Sequence, residues 1–204
     1  MAAITLPALG LFVTTLGVAI LSPGPAIIAA SRSAAARGRQ ASMPYAMGLA
    51  IGASFWCLFA LFGLTVLFRV LPQSYTVLRL LGGAYLFWIA VQMWRHAADP
   101  LAMEGEALAG PGFRQGLALN LSNPKPALFY SAVLLSIFPV LLTAADKLAI
   151  FATAAVVEVG FYVALASLMA LPWLRRRYYA AKLWIDRVAG LAIGLLGLSL
   201  ILRH

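Results

Sequence analysis

Two short proline motifs, about half the chain apart, interrupt long apolar segments and carry groups that could bind a solute. They are Pro23-Gly24-Pro25 and Asn123-Pro124-Lys125-Pro126, and Asn120 lies one helical turn before the second. Proline lacks a backbone N–H and clashes with the preceding turn, so each motif should break a helix and leave carbonyl groups that need polar partners. Where a helix resumes after a break, its N-terminus favours an anionic group such as a carboxylate.

The two motifs place different residues at equivalent positions, Gly24 in the first and Lys125 in the second. Glycine allows backbone and ligand to approach closely, and the Lys125 ammonium could bind a carboxylate directly. The alternative is that Lys125 extends to the cytoplasmic lipid headgroups. The predicted substrate-binding residues are Pro23, Gly24, Pro25, Asn120, Asn123, Pro124, Lys125 and Pro126.

Glu158 is the acidic residue furthest inside an apolar run. It follows Lys147 by eleven residues, or about 16 Å of helix, which places it near the centre of a bilayer. A carboxylate there is largely desolvated and is a candidate carrier of a coupling proton. The alternative is a structural partner for Lys125 or for freed backbone donors. In both cases the side chain should face the protein interior.

The composition indicates that these motifs lie in a membrane. With 63% hydrophobic residues, 10% charged residues and a mean hydropathy of +0.94, the chain cannot form a soluble globule with a polar surface. The apolar runs are long and continuous, which favours an all-α integral membrane protein over a β-barrel of short alternating strands. Six transmembrane segments are predicted, near 4–30, 43–68, 76–95, 115–142, 147–171 and 183–202.

The segments divide into two similar halves. Besides the proline motifs, the stretch 79–84 resembles 187–192, with a basic residue followed by small and apolar ones. Three segments per half is an odd number, so the second half should be inverted relative to the first. We predict one membrane domain with repeats at 1–96 and 114–204, a cytoplasmic linker at 97–113, and breaks in segments 1 and 4. Such inverted repeats are typical of secondary transporters; the alternative is two proline kinks that only shape a bundle.

Basic residues predict the orientation. Most of the fifteen lysines and arginines lie in the loops after segments 1, 3 and 5, and the four on the opposite side are Arg69, Arg79, Lys147 and Arg203. By the positive-inside rule, both termini are then periplasmic. The net charge of +9 is interpreted as anchoring to anionic lipid, so no nucleic-acid partner is expected. One cysteine, and histidines outside the spans, predict no metal site, and no cofactor is expected.

Small residues at helical spacing predict close helix contacts. They form two pairs, Gly48 with Gly52 and Gly190 with Gly194, and a further set on one face of segment 1, Gly10, Thr14 and Gly17.

Together these motifs resemble the lysine exporter and homoserine/threonine exporter (LysE/RhtB-type) family of bacterial amino-acid exporters. The resemblance covers nearly the whole chain and rests on Pro23-Gly24-Pro25, Gly38, Gly48, Gly52, the stretch 81–86, Asn120 and Asn123-Pro124-Lys125. It implies a six-segment inner-membrane protein that exports amino acids or related small metabolites, generally in exchange for protons.

The resulting prediction is a proton-coupled secondary active exporter that works by alternating access. Its expected partners are a small-molecule amino-acid substrate, protons and the lipid bilayer, with a homodimer left open. A channel or a non-transporting accessory subunit is the alternative. An intramembrane enzyme is less favoured, because the sequence has no His-Glu-x-x-His or Gly-x-Ser-x-Gly motif. A Walker A loop is also absent, so ATP is not expected to drive the cycle directly.

Overall fold

A computed structural model describes residues 4–71, 74–99, 112–138 and 142–202 of the chain. These residues form eight helices: α1 (Leu6–Leu21), α2 (Pro25–Val70), α3 (Ser74–Arg95), α4 (Phe113–Leu121), α5 (Pro124–Ile137), α6 (Ala144–Met169), α7 (Pro172–Ala180) and α8 (Lys182–Leu202). In this part of the chain, α3, α6, α8 and the Pro25–Phe68 stretch of α2 are long and apolar enough to cross a membrane, and α1 is a shorter apolar helix. The chain is an all-α, multi-pass membrane protein.

Both predicted helix breaks are confirmed. α1 ends at Leu21 and α2 begins at Pro25, while α4 ends at Leu121 and α5 begins at Pro124. Each proline occupies a first-turn position, where a helix has no use for the missing N–H. The helix after the second break was expected to resume after Pro126; it begins at Pro124 instead, and Pro126 lies within its first turn.

The basic segment around Arg32, expected as a loop, is helical instead. α2 runs through it with non-helical backbone angles only at Gly38, where φ is 75° and ψ is 175°. A positive φ of this size suits glycine, which has no Cβ to clash. Ala34 and Tyr45, on either side of Gly38, join one buried cluster with Ala166 of α6. The chain therefore changes direction at Gly38, and α2 consists of two arms, 25–37 and 39–70.

A second expected loop, after the fifth segment, contains the short helix α7, which begins at Pro172. Proline is well suited to this first helical position. Most of the linker predicted at 97–113 lies outside the described residues, as do residues 139–141 near the predicted end of segment 4.

The helices pack most extensively as α3 with α8, and α2 with both α6 and α4. Glycines allow these approaches. A Cβ at Gly48 would overlap the carbonyl oxygen of Phe113 in α4, and one at Gly190 would lie 2.6 Å from Trp94 in α3. The predicted close helix contacts at these glycines are confirmed. The same prediction for the face of α1 that carries Gly10 and Gly17 is wrong, because a Cβ at either position would have nothing within 4 Å.

Two apolar clusters surround the position of Glu158. Along α6, Ala154 belongs to a cluster with Phe12 and Tyr130, whereas Tyr162 belongs to the cluster that holds Ala34 and Tyr45. Glu158 lies between these two α6 positions and is itself buried. The fold thus encloses an acidic side chain between two apolar layers.

Candidate functional site

The two helix breaks meet through Lys125 and Gly24. The Lys125 Nζ lies 3.5 Å from the position that a Cβ on Gly24 would occupy, so the ammonium group rests against bare backbone of the first break. Lys125 is the second residue of α5, and its own N–H donates a 3.0 Å hydrogen bond to Asn123 Oδ1. This N-cap fixes the start of the helix that carries the lysine.

A small space between the helices, here called the inner cavity, lies beside this contact. Its volume is about 60 Å³, enough for several water molecules. Six predicted site residues line it: Gly24, Asn120, Asn123, Lys125, Pro126 and Glu158. Much of the remaining wall is apolar and includes Leu16, Ala19, Ala53 and Phe129.

A larger and more open space, here called the vestibule, lies on the other side of the breaks and has a volume of about 590 Å³. The remaining predicted residues, Pro23, Pro25 and Pro124, line it. Gly24, Asn123 and Lys125 border both spaces. Every residue predicted for the site therefore borders one of two adjoining spaces, with Lys125 at their junction.

Glu158 faces the interior, as predicted, with only 2% of its surface exposed. Its Oε1 accepts a 2.8 Å hydrogen bond from the Tyr130 hydroxyl, so its hydrogen-bond partner is a tyrosine of α5 rather than Lys125. Its Oε2 is buried and accepts no hydrogen bond from any residue that the structure describes. Cys57 of α2 is fully buried and lies close enough to Glu158 to interact with its charge.

The two predicted asparagines have different roles in the structure. Asn120 is buried, and its Nδ2 donates a 2.6 Å hydrogen bond to the Leu49 carbonyl of α2. This bond fixes the amide orientation, because a carbonyl can only accept, and it leaves Asn120 Oδ1 buried without a hydrogen-bond partner. Asn123 lines the same cavity but uses its Oδ1 as the N-cap of α5.

The sequence model of the LysE type translocator family matches residues 18–204. The chain belongs to the LysE type translocator family. Membership places it among transporters rather than enzymes.

This LysE-type chain is similar to several curated relatives. It is 34% identical to a threonine efflux protein of Salmonella typhi and 32% identical to one of Escherichia coli strain K12, in each case over 92% of this chain and 94% of the relative. It is 31% identical to a leucine efflux protein of Klebsiella pneumoniae over 54% of each chain. No solved structure matches the chain.

One polar cluster of the LysE-type chain was not singled out from the sequence. Asp186 of α8 is buried, and its Oδ1 accepts a 2.8 Å hydrogen bond from the Ser22 hydroxyl at the first break. Its Oδ2 forms a 3.0 Å ion pair with Lys182. The Lys182 ammonium also donates to the carbonyl oxygens of His96 and Ala97, at 2.7 and 3.0 Å. This cluster ties the start of α8 to the end of α3 and to the first break.

The sequence offered only a weak signal for this cluster. Lys182 and Asp186 are four residues apart at the start of an apolar segment, a spacing typical of an ordinary surface ion pair. Tyr162 lines the inner cavity and was also not singled out from the sequence. Its sequence signal was stronger, because it follows Glu158 by one helical turn and therefore shares its face of the helix.

Proposed function

We propose that this LysE-type protein is a secondary active exporter of amino acids, or closely related small metabolites, in the bacterial inner membrane. The observation that carries the proposal is the meeting of the two breaks at Lys125 and Gly24, between a small inner cavity and a larger, more open vestibule. Relatives named threonine and leucine efflux proteins support the substrate class.

In this proposal, the substrate carboxylate binds at the breaks. The Lys125 ammonium supplies a positive charge, the N-terminal end of α2 supplies N–H groups that no side chain caps, and the starts of both α2 and α5 supply a favourable dipole. Gly24 leaves the space that the carboxylate needs, and the prolines hold both breaks open. The substrate side chain lies against apolar wall residues such as Leu16 and Ala53. The small volume favours a small, uncharged side chain.

Helix pairing supports the inverted repeat. The proposed halves are 1–96 and 114–204, joined by the linker 97–113. Their third segments are α3 and α8. Their second segments are α6 in one half and, in the other, the second arm of α2. Each like pair packs together. Gly83 approaches Gly197, whereas Ala90 approaches Gly194, so α3 and α8 run antiparallel. Segment 1 then consists of α1 with the first arm of α2, and segment 4 of α4 with α5, which makes six segments.

The two spaces support alternating access. By the positive-inside rule, the vestibule with Lys182 opens to the cytoplasm and both termini face the periplasm. Further along α1, Phe12 is fully buried, and its ring centroid lies 5.6 Å from that of Phe138 and 6.4 Å from that of Tyr130. This aromatic cluster closes the periplasmic side. Rocking of one repeat against the other would open it and close the vestibule, with Glu158 carrying the coupling proton.

The test is efflux from proteoliposomes that contain the purified protein and labelled threonine, with and without a proton gradient. We expect saturable efflux that the gradient accelerates, and loss of efflux in Lys125→Ala. Lys147→Ala is the matched control, because that ammonium lies 5.4 Å from the Phe62 ring centroid and borders neither space. Efflux no faster than from empty liposomes for a panel of amino acids would overturn the proposal. Non-saturating, gradient-independent efflux would instead indicate a channel.

A further inference from the structure

Two acceptor atoms on different helices are left without donors beside the inner cavity. Glu158 Oε2 on α6 and Asn120 Oδ1 on α4 are both buried and accept no hydrogen bond from the described part of the chain, and both residues line the cavity. A buried acceptor without a partner is unfavourable, and buried polar groups in proteins are almost always paired. A guest in this cavity that supplies donors would satisfy both atoms.

Three neighbouring donor groups are already placed elsewhere. The Tyr130 hydroxyl donates to the other oxygen of Glu158, the Asn120 amide nitrogen donates to Leu49, and the Lys125 ammonium lies against Gly24 at the break. The donors that remain beside the cavity are neutral: the Tyr162 hydroxyl, which lines it next to Asn120, and any water that enters. A charged donor for the two acceptors would therefore come from the guest.

The charge of the site indicates what kind of donor that is. A carboxylate favours a cationic partner when water is excluded. An ammonium group has three N–H donors and a positive charge, so it can bind a carboxylate oxygen and an amide oxygen at once. A neutral hydroxyl has one donor and no charge, and it would leave one acceptor unpaired.

We propose that Glu158 and Asn120 form the binding site for the ammonium group of the exported amino acid, and that a proton and this ammonium group compete for Glu158. The inference rests on the proposed export function and deepens it. The substrate is then held as a zwitterion, with its carboxylate toward Lys125 and its ammonium toward α4 and α6.

The other buried carboxylate beside the breaks is less suited to this role. Asp186 already accepts from Ser22 through one oxygen and pairs with Lys182 through the other. It has no free acceptor to offer to a substrate, whereas Glu158 has one.

Competition for one carboxylate explains how export is coupled to protons. When Glu158 is charged, it holds the ammonium group; when it takes a proton from the periplasmic side, it loses its negative charge and the ammonium group is released. The proton leaves to the cytoplasm before the next substrate binds, so one proton enters for each amino acid exported. The other titratable groups that face Glu158 are Tyr130 and Lys125 of α5, Cys57 of α2 and Tyr162 of α6. No titratable group comes from the side of the cavity that α1 and the first break form. The described residues there are apolar residues of α1, together with Ser22 and Gly24.

The first test uses the wild-type protein and compares ligands by titration calorimetry. The probes are L-threonine, N-acetyl-L-threonine, which lacks the ammonium group, and 2,3-dihydroxybutyrate, in which a hydroxyl replaces it. We expect the two analogues to bind at least about tenfold more weakly than threonine, because they leave buried acceptors unpaired. Equal binding of the analogues would overturn the ammonium site and leave the export function standing.

The second test measures threonine affinity as the pH is lowered through the acid range. Wild-type affinity should fall, while Glu158→Gln should bind weakly and with no such dependence. Thr153→Val is the control on the same helix, because its hydroxyl bonds only to the Ala149 carbonyl of that helix. The same falling profile in Glu158→Gln and in wild type would overturn the competition. If the wild-type protein binds and exports no amino acid, the proposed function fails together with this inference.

Discussion

The hydroxyl of Tyr130 donates a 2.8 Å hydrogen bond to Glu158 Oε1 and so joins α5 to α6 inside the membrane domain. α5 is the helix that begins at the second break and carries Lys125. In the proposed mechanism, a movement of that break would reach the buried acid through this hydrogen bond. Substrate binding at Lys125 and protonation of Glu158 would then be linked through one short helix.

Replacing Tyr130 tests this link. Tyr130→Phe keeps the ring packing and removes the hydroxyl, so Glu158 loses its observed hydrogen-bond donor. We expect proton-driven threonine efflux to slow by about tenfold or more, because a hydrogen bond to a charged group contributes about 1.5 to 3 kcal/mol. Tyr75→Phe serves as a control, since this tyrosine packs against Phe68 away from Glu158. Unchanged efflux in Tyr130→Phe would show that the link is not used.

Gly24 tests the contact between the breaks in a graded way. A Cβ there would lie 3.5 Å from Lys125 Nζ, which is ordinary van der Waals contact, so Gly24→Ala should retain most transport. Gly24→Val adds two methyl groups beyond those of Gly24→Ala, and they point into the space of the Lys125 ammonium. We expect this variant to raise the KM for threonine by about tenfold or more, given the cost of overpacking. Kinetics of efflux from proteoliposomes measure both. Equal KM values for the two variants would contradict the proposed carboxylate site.

The ion pair between Lys182 and Asp186 tests the vestibule. Lys182→Met leaves the buried Asp186 carboxylate without its cation, and we expect a loss of about 3 kcal/mol in stability. The double variant Lys182→Met/Asp186→Leu removes both charges and should recover much of that loss. Thermal unfolding in detergent measures each protein. A double variant that is less stable than Lys182→Met alone would refute this account of the cluster.

Close helix packing gives a test that does not depend on transport. Gly48→Ala places a methyl group onto the Phe113 carbonyl oxygen, so α2 and α4 can no longer approach, and we expect little folded protein. Gly63→Ala lies in the same helix with nothing within 4 Å of the new methyl group, and it should fold normally. Size-exclusion profiles after detergent extraction compare the two. Normal profiles for both variants would contradict the packing.

If the aromatic cluster of Phe12, Phe138 and Tyr130 closes the periplasmic side, a variant that opens the cluster should let threonine pass without coupling. Phe12→Ala removes the ring that packs between Phe138 and Tyr130, and we expect passive threonine flux that continues without a proton gradient. Phe12→Leu keeps most of the volume and should remain tight. Liposome flux assays distinguish the two variants. Fully coupled transport by Phe12→Ala would place the closure elsewhere.

Features that depend on local chemistry were predictable from the sequence. Proline disfavours the helix interior, and two closely spaced prolines in each motif located both interruptions, although the single Pro44 lies inside α2 without breaking it. The apolar surroundings of Glu158 required it to face inward. The segment around Arg32 was predicted wrongly as a loop. Its basic residues indicate a membrane boundary, but arginine and alanine are also strong helix formers, and the helix continues past that boundary to Gly38.

The partners of the buried polar groups were not predictable in the same way. The bonds from Ser22 to Asp186 and from Tyr130 to Glu158 join residues that are 164 and 28 positions apart. Their pairing depends on how α8 and α6 pack against the two breaks, and the helical periodicity of a single segment carries no information about that arrangement.

The position of the lone cysteine equips this protein with a built-in reporter. Cys57 is the one thiol in the sequence, and it lies buried beside Glu158. A membrane-impermeant maleimide added to one face or the other of sealed vesicles would label the native chain only when water reaches that depth from that face. The exposure of each side during turnover can therefore be followed without engineering a cysteine-free background.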